Sequence, residues 1–133
     1  MGKEVINPEG LFQSTNYGFS QIVVTNHGKH IFISGQVAWD KNREIVGKNN
    51  LKIQTEKAIQ NIKTAIELAG GTLENIVVLR IYKVKYKSED SPIIASCLKQ
   101  YFGTLSPPAS TWISVDGLAN ADFMIEIEAE AII

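Results

Sequence analysis

The sequence predicts an α+β fold in which two helices pack on one face of a mixed β-sheet. Two observations carry this. Segments with a two-residue apolar period and segments with a helical period follow one another as strand, strand, helix, strand, helix, strand, strand. The chain is also 133 residues long with 44% hydrophobic and 20% charged residues, the composition of a globular protein. That length suits one domain, residues 1–133, burying ~two-thirds of the surface exposed in the unfolded chain. No internal repeat, low-complexity tract or long linker divides it.

Residues 1–10 lack periodicity and read as an extended lead-in. Ile22-Val23-Val24 and Ile31-Phe32-Ile33-Ser34 are β-rich runs. Thr25-Asn26-His27-Gly28-Lys29 between them tolerates positive φ, so a hairpin is expected. Residues 40–50 are polar and turn-rich. Over residues 51–69 the period becomes helical, with Leu51, Thr55, Ala58, Ile62, Ala65, Ile66 and Ala69 on one stripe. Asn49 or Asn50 can cap its start, and Gly70-Gly71 ends it.

Residues 74–87 read as one long strand. Val77, Leu79 and Ile81 share a parity with Lys83, Lys85 and Lys87, whereas Tyr82, Val84 and Tyr86 take the other. The apolar face therefore changes sides, and a bulge is expected near Tyr82. Asp90-Ser91-Pro92 opens a second helix with a capping side chain and a first-turn proline. Ile94, Cys97, Leu98 and Tyr101 form its buried stripe, and Gly103 stops it. Pro107-Pro108 breaks the chain before a strand over residues 111–115. The last strand, residues 123–133, alternates most clearly: Ile125, Ile127, Ala129 and Ala131 face one way, and Glu126, Glu128 and Glu130 the other. With both helices on one side, the other face needs cover. Ile22, Val24, Phe32 and Trp112 read as outward apolar positions, so self-association is expected.

Composition removes several function classes. The longest aliphatic run is Ile76-Val77-Val78-Leu79, too short for a transmembrane helix, and no apolar leader follows Met1-Gly2-Lys3. A single cysteine excludes an internal disulfide, and with two histidines it cannot fill a structural zinc site; no metal or other cofactor is expected. A net charge of −1 and two arginines, Arg43 and Arg80, argue against a nucleic-acid partner. The default is a cytoplasmic domain handling a small molecule, without a membrane partner. His27 and His30 read as solvated turn residues, and Cys97 as a buried inert thiol. The lysines Lys83, Lys85 and Lys87 read as a solvated strand end or, alternatively, an anion-binding patch. Composition and spacing specify no reaction.

Four segments in order resemble the Rid/YjgF family, the reactive-intermediate deaminases, also called the L-PSP endoribonucleases. They are Ile31-Phe32-Ile33-Ser34-Gly35-Gln36; the stretch from Ala58-Ile59-Gln60-Asn61-Ile62 through Ala69-Gly70-Gly71 to Asn75-Ile76-Val77; Tyr101-Phe102-Gly103; and Pro108-Ala109 followed by Glu126-Ile127-Glu128-Ala129. The likeness covers about residues 19–131. It implies a chorismate-mutase-like fold, a homotrimer, and small-molecule clefts between subunits. It also implies hydrolysis of small imines and enamines to a carbonyl compound and ammonia, without a cofactor.

The resemblance places the expected site at Phe19, Ser34, Gly35, Ser110, Trp112 and Glu126, with Glu126 positioning the attacking water. The chain departs from the pattern at several of these. An arginine that would clamp a substrate carboxylate is Ser110; the usual cleft aromatic, often tyrosine, is Phe19; a small residue or cysteine is Trp112; and a helix-two asparagine falls near Ala95. Losing one charge-assisted contact costs ~1.5–3 kcal/mol. The expectation is therefore a trimer that binds a small ligand lacking a carboxylate and hydrolyses an imine or enamine, not a standard 2-imino acid deaminase. Two alternatives stand beside it. One is a non-catalytic ligand-binding or protein-interaction trimer; the other is an endoribonuclease or translation inhibitor, for which only the lysine cluster could hold phosphate.

Overall fold

The computed structural model describes residues 2–133; Met1, the first residue of the expected lead-in, lies outside them. Its elements are β1 (Glu4–Ile6), β2 (Ile22–Val24), β3 (His30–Val37), α1 (Leu51–Leu68), β4 (Ile76–Val84), α2 (Asp90–Phe102), β5 (Ala109–Val115) and β6 (Ile125–Ile132). Four strands form one sheet in the order β3-β6-β4-β5, with β4 and β5 parallel and the other pairs antiparallel. The core lies between this sheet and the two helices, as the α+β reading requires. Among the described residues no helix is long and apolar enough to cross a membrane.

The strong periodicities translate directly. In β6, Ile125, Ile127, Ala129 and Ala131 are buried, and the three glutamates emerge on the opposite face. In α1, the Asn50 side chain accepts a hydrogen bond from the Ile53 amide, and Gly70 takes the left-handed conformation just beyond the end. Ala69, expected on the buried stripe, is instead the exposed C-cap. The buried face of α1 also holds Ile59 and a polar residue, Gln54. The Gln54 amide donates to the carbonyls of Gly47 and Asp122 and accepts from the Met124 amide, so it joins α1 to both neighbouring loops. Asn61 likewise donates to the carbonyls of Val37 and Trp39. The Trp39 ring stands edge-on against Phe123, 4.9 Å away.

Several expectations are corrected. The lead-in contains β1, and β2 pairs with it rather than forming a hairpin with β3. β3 finds its partner in β6, where every second residue can be buried, and the Lys29–Ile133 backbone bonds extend that ladder. Lys3 fixes the arm, its ammonium donating to the carbonyls of Glu74, Ile76 and Ser106; burial lowers its pKa. The expected long strand starts with a 3-10 turn at Leu73–Asn75 and stops at Val84, because Lys85 takes φ 48°.

The apolar face of β4 does not change sides near Tyr82. The irregularity lies between Ile76 and Val78, after which Leu79, Ile81 and Lys83 all point into the protein. Lys83 is buried because Asp90 supplies its counter-charge 3.1 Å away and the Val84 carbonyl accepts a second hydrogen bond at 2.7 Å. Asp90, expected to cap α2, spends its side chain on Lys83 and the Lys87 amide; Glu89 is the N-cap residue and makes no side-chain cap. Cys97 is buried as expected, and desolvation pushes its thiol pKa up to about 11.

Candidate functional site

The six expected site residues fall into two groups on opposite faces of the sheet. Phe19, Ser110 and Trp112 line one open groove of about 390 Å³ together with Phe12, Tyr17 and Ser91. Phe19 reaches it because Ser20 forms a parallel bridge with Ala109 and its hydroxyl donates to the Pro107 carbonyl, laying the chain beside the edge strand β5. Gly18 makes this possible. Its φ is +87°, and a Cβ there would lie 2.9 Å from the Leu98 side chain on α2.

Trp112 is not an outward apolar residue as expected. It pairs with Ile81 in the β4–β5 register, which turns its indole toward the helices and the core. Its ring lies 5.8 Å from Phe19, 6.5 Å from Tyr17 and 6.5 Å from Tyr86. The indole N–H donates to the Ser110 hydroxyl at 2.8 Å, so Ser110 acts first as the acceptor that orients Trp112. The second serine in the groove, Ser91, is hydrogen-bonded to the Tyr86 phenol. Four aromatic rings and two engaged serines leave this groove without a charged side chain.

Ser34, Gly35 and Glu126 meet on the face that no helix covers. Between Ile33↔Ala129 and Gln36↔Ile127, the two residues Ser34 and Gly35 stand opposite one, Glu128, which makes a β-bulge. Glu126 folds over that bulge: a Cβ on Gly35 would lie 2.0 Å from the Glu126 Oε2. Gly35 is thus the gap that seats the carboxylate. The three glutamates of β6 are then no longer equivalent. Glu128 accepts from the Tyr82 phenol, which raises the pKa of Tyr82. Glu130 is held by Arg80 at 2.5 Å and by His30 at 2.9 Å, and the Arg80 hydrogen bond lowers its pKa. Glu126 has no side-chain hydrogen-bond or ion-pair partner among the described residues.

Sequence reasoning missed this wiring. His30, expected in solvent, is paired with Glu130 and stacked on Phe32 at 4.1 Å, because the β3–β6 pairing brings residues 100 apart together. Lys83, Lys85 and Lys87 do not form a row: the first is buried, and the left-handed turn at Lys85 ends the alternation. The second arginine of the chain, Arg80, lies on the bare face but is bound by Glu130 and Glu128.

Comparison with known proteins places the chain. The model of the family described as Endoribonuclease L-PSP matches residues 13–133. The chain belongs to this family, the Rid/YjgF proteins. A RutC family protein of Pyrococcus abyssi is 33% identical over 131 residues, covering 98% of each chain. The 3-aminoacrylate deaminase RutC of Acinetobacter baylyi is 28% identical over 131 residues, again covering 98% of each. Among solved structures, the Rid family protein YyfB of Yersinia pestis superposes with a TM-score of 0.96 at 36% identity, covering 100% of both chains. The fold is accordingly the chorismate-mutase-like α+β fold of the Rid proteins, with both helices on one face of the mixed sheet.

Proposed function

We propose that this Rid protein assembles as a homotrimer and binds a small, uncharged, apolar or aromatic molecule between subunits. Its reaction is hydrolysis of an imine or enamine: water adds to the C=N carbon, and the C–N bond then breaks to give a carbonyl compound and ammonia. Glu126 is the carboxylate free to orient that water and take its proton. Ser34 offers a hydrogen bond, Gly35 keeps the space open, and Phe19 and Trp112 form the apolar wall. Within one protomer, Glu126 and the aromatic groove lie on opposite faces of the sheet. The proposed cleft therefore joins the groove of one protomer to the Glu126 of its neighbour. Exposed Phe32 and Ile113 on the bare face support such an assembly.

The observation that carries this reading is the absence of a cation from the ring-lined groove, where the resemblance puts the family's arginine position at Ser110. The relative from Acinetobacter baylyi is named for 3-aminoacrylate, a carboxylate-bearing enamine; here nothing in the groove balances such a charge. Paired assays test the point. An uncharged imine is expected to exceed 2-iminopropionate in kcat/KM by ~tenfold or more, the ratio that loss of one charge-assisted contact allows. Equal or faster turnover of 2-iminopropionate would refute the reading. A second reading, ligand binding without chemistry, is favoured by one observation: both groove serines already have partners. It prevails if Glu126→Gln leaves every measured hydrolysis unchanged while a ligand still binds.

A further inference from the structure

The proposed reaction makes no use of Lys83, Lys85 and Lys87. All three line a second groove of about 690 Å³, between the end of β4 and the start of α2. Its acidic members are Glu89 and Asp90, so three ammonium groups face two carboxylates. Asp90 is already committed to Lys83 and to the Lys87 amide. Lys85 and Lys87 have no ion-pair partner among the described residues. An ammonium has three hydrogens to donate. Lys83 uses two of them, on Asp90 and on the Val84 carbonyl, and its side chain is 5% exposed at the wall of the groove. Ile93, Phe123 and Met124 supply an apolar wall.

We propose that this groove binds a small organic anion with an apolar body, such as an aryl carboxylate. The carboxylate sits against Lys85 and Lys87 and takes the remaining Lys83 hydrogen, while the body lies on Ile93, Phe123 and Met124. The arrangement complements the first groove, which has rings and no charge. It also places a second ligand class on the same chain, independent of whether the first groove performs chemistry. Charge-assisted contacts dominate the recognition, so affinity falls as ionic strength rises.

The test is titration of the ¹⁵N-labelled full chain with benzoate, with benzyl alcohol as the uncharged probe. Benzoate is expected to give saturable amide shifts across residues 83–93 and 121–124, and benzyl alcohol none at the same concentration. Lys85→Gln with Lys87→Gln alters exposed positions only and is expected to weaken benzoate ~tenfold or more. Lys83→Met paired with Asp90→Asn, which keeps the acceptor for the Lys87 amide, is expected to weaken it as well. Equal shifts from the alcohol, unchanged affinity in the double glutamine variant, shifts confined to Ser110 and Trp112, or no shifts would each overturn the proposal.

Discussion

On the helix-covered face of the sheet, Leu79, Ile81, Ile125 and Ile127 are fully buried, and the one cation among them, Lys83, brings its own counter-charge in Asp90. On the bare face, Arg80, Tyr82, His30, Glu128 and Glu130 are half in solvent and bound to one another across three strands, with Glu126 left unpartnered beside them. The two faces belong to the same strands, yet they answer to different physics. Inside, an unpaired group has no water to fall back on, so each interaction is close to obligatory. Outside, water competes with every contact, and the network decides which groups are free more than whether the chain folds.

Substitutions that exchange the roles of the two faces sharpen the contrast, the largest effect first. Lys83→Met strands Asp90 without its cation and is expected to cost ~3–5 kcal/mol in urea unfolding, whereas adding Asp90→Asn recovers most of the loss. If Lys83→Met alone is nearly neutral, Lys83 does not belong to the buried face in the sense argued. Next comes Gly35→Ala, whose new methyl group collides with the flexible end of Glu126. It is expected to cost ~1 kcal/mol, with the penalty erased in a Glu126→Ala background. Additive losses in that cycle would show that Gly35 does not seat Glu126.

The smallest effect concerns pH. Arg80 holds the Glu130 pKa below its ordinary 4.5, so this contact stabilises the fold above that value. The contribution is lost as pH falls from there through the lowered folded-state value. Arg80→Gln is expected to flatten the acid side of the urea midpoint profile, with little change at neutral pH relative to Lys83→Met.

How much was legible in the sequence follows the same division. The alternation of β6 and the stripe of α1 were readable because burial on one face imposes a period that survives in residue order. A three-residue strand such as β1 carries no period, so its pairing with β2 left no trace. Lys83 misled because charge usually means solvent; the available signal was its shared parity with Leu79 and Ile81, seven residues before Asp90. Ser34, Gly35 and Glu126 were identifiable as candidates from the Rid resemblance. That Glu126 would be the unpartnered glutamate was not, since its neighbours are engaged by Arg80, His30 and Tyr82 from other strands. Trp112 escaped because its direction is set by the parallel register with β4, which composition does not reveal.

The chain contains two tryptophans, one in the wall of the first groove and the other one ring behind the wall of the second. Trp112 forms a wall of the ring-lined groove, while Trp39 rests on Phe123, which lines the lysine-bearing one. Trp112 is therefore a fluorophore inside the first cavity, and Trp39 is one that senses the second through the ring it touches. Single-tryptophan forms of the protein can report optically which of the two a given compound has entered, without an attached dye.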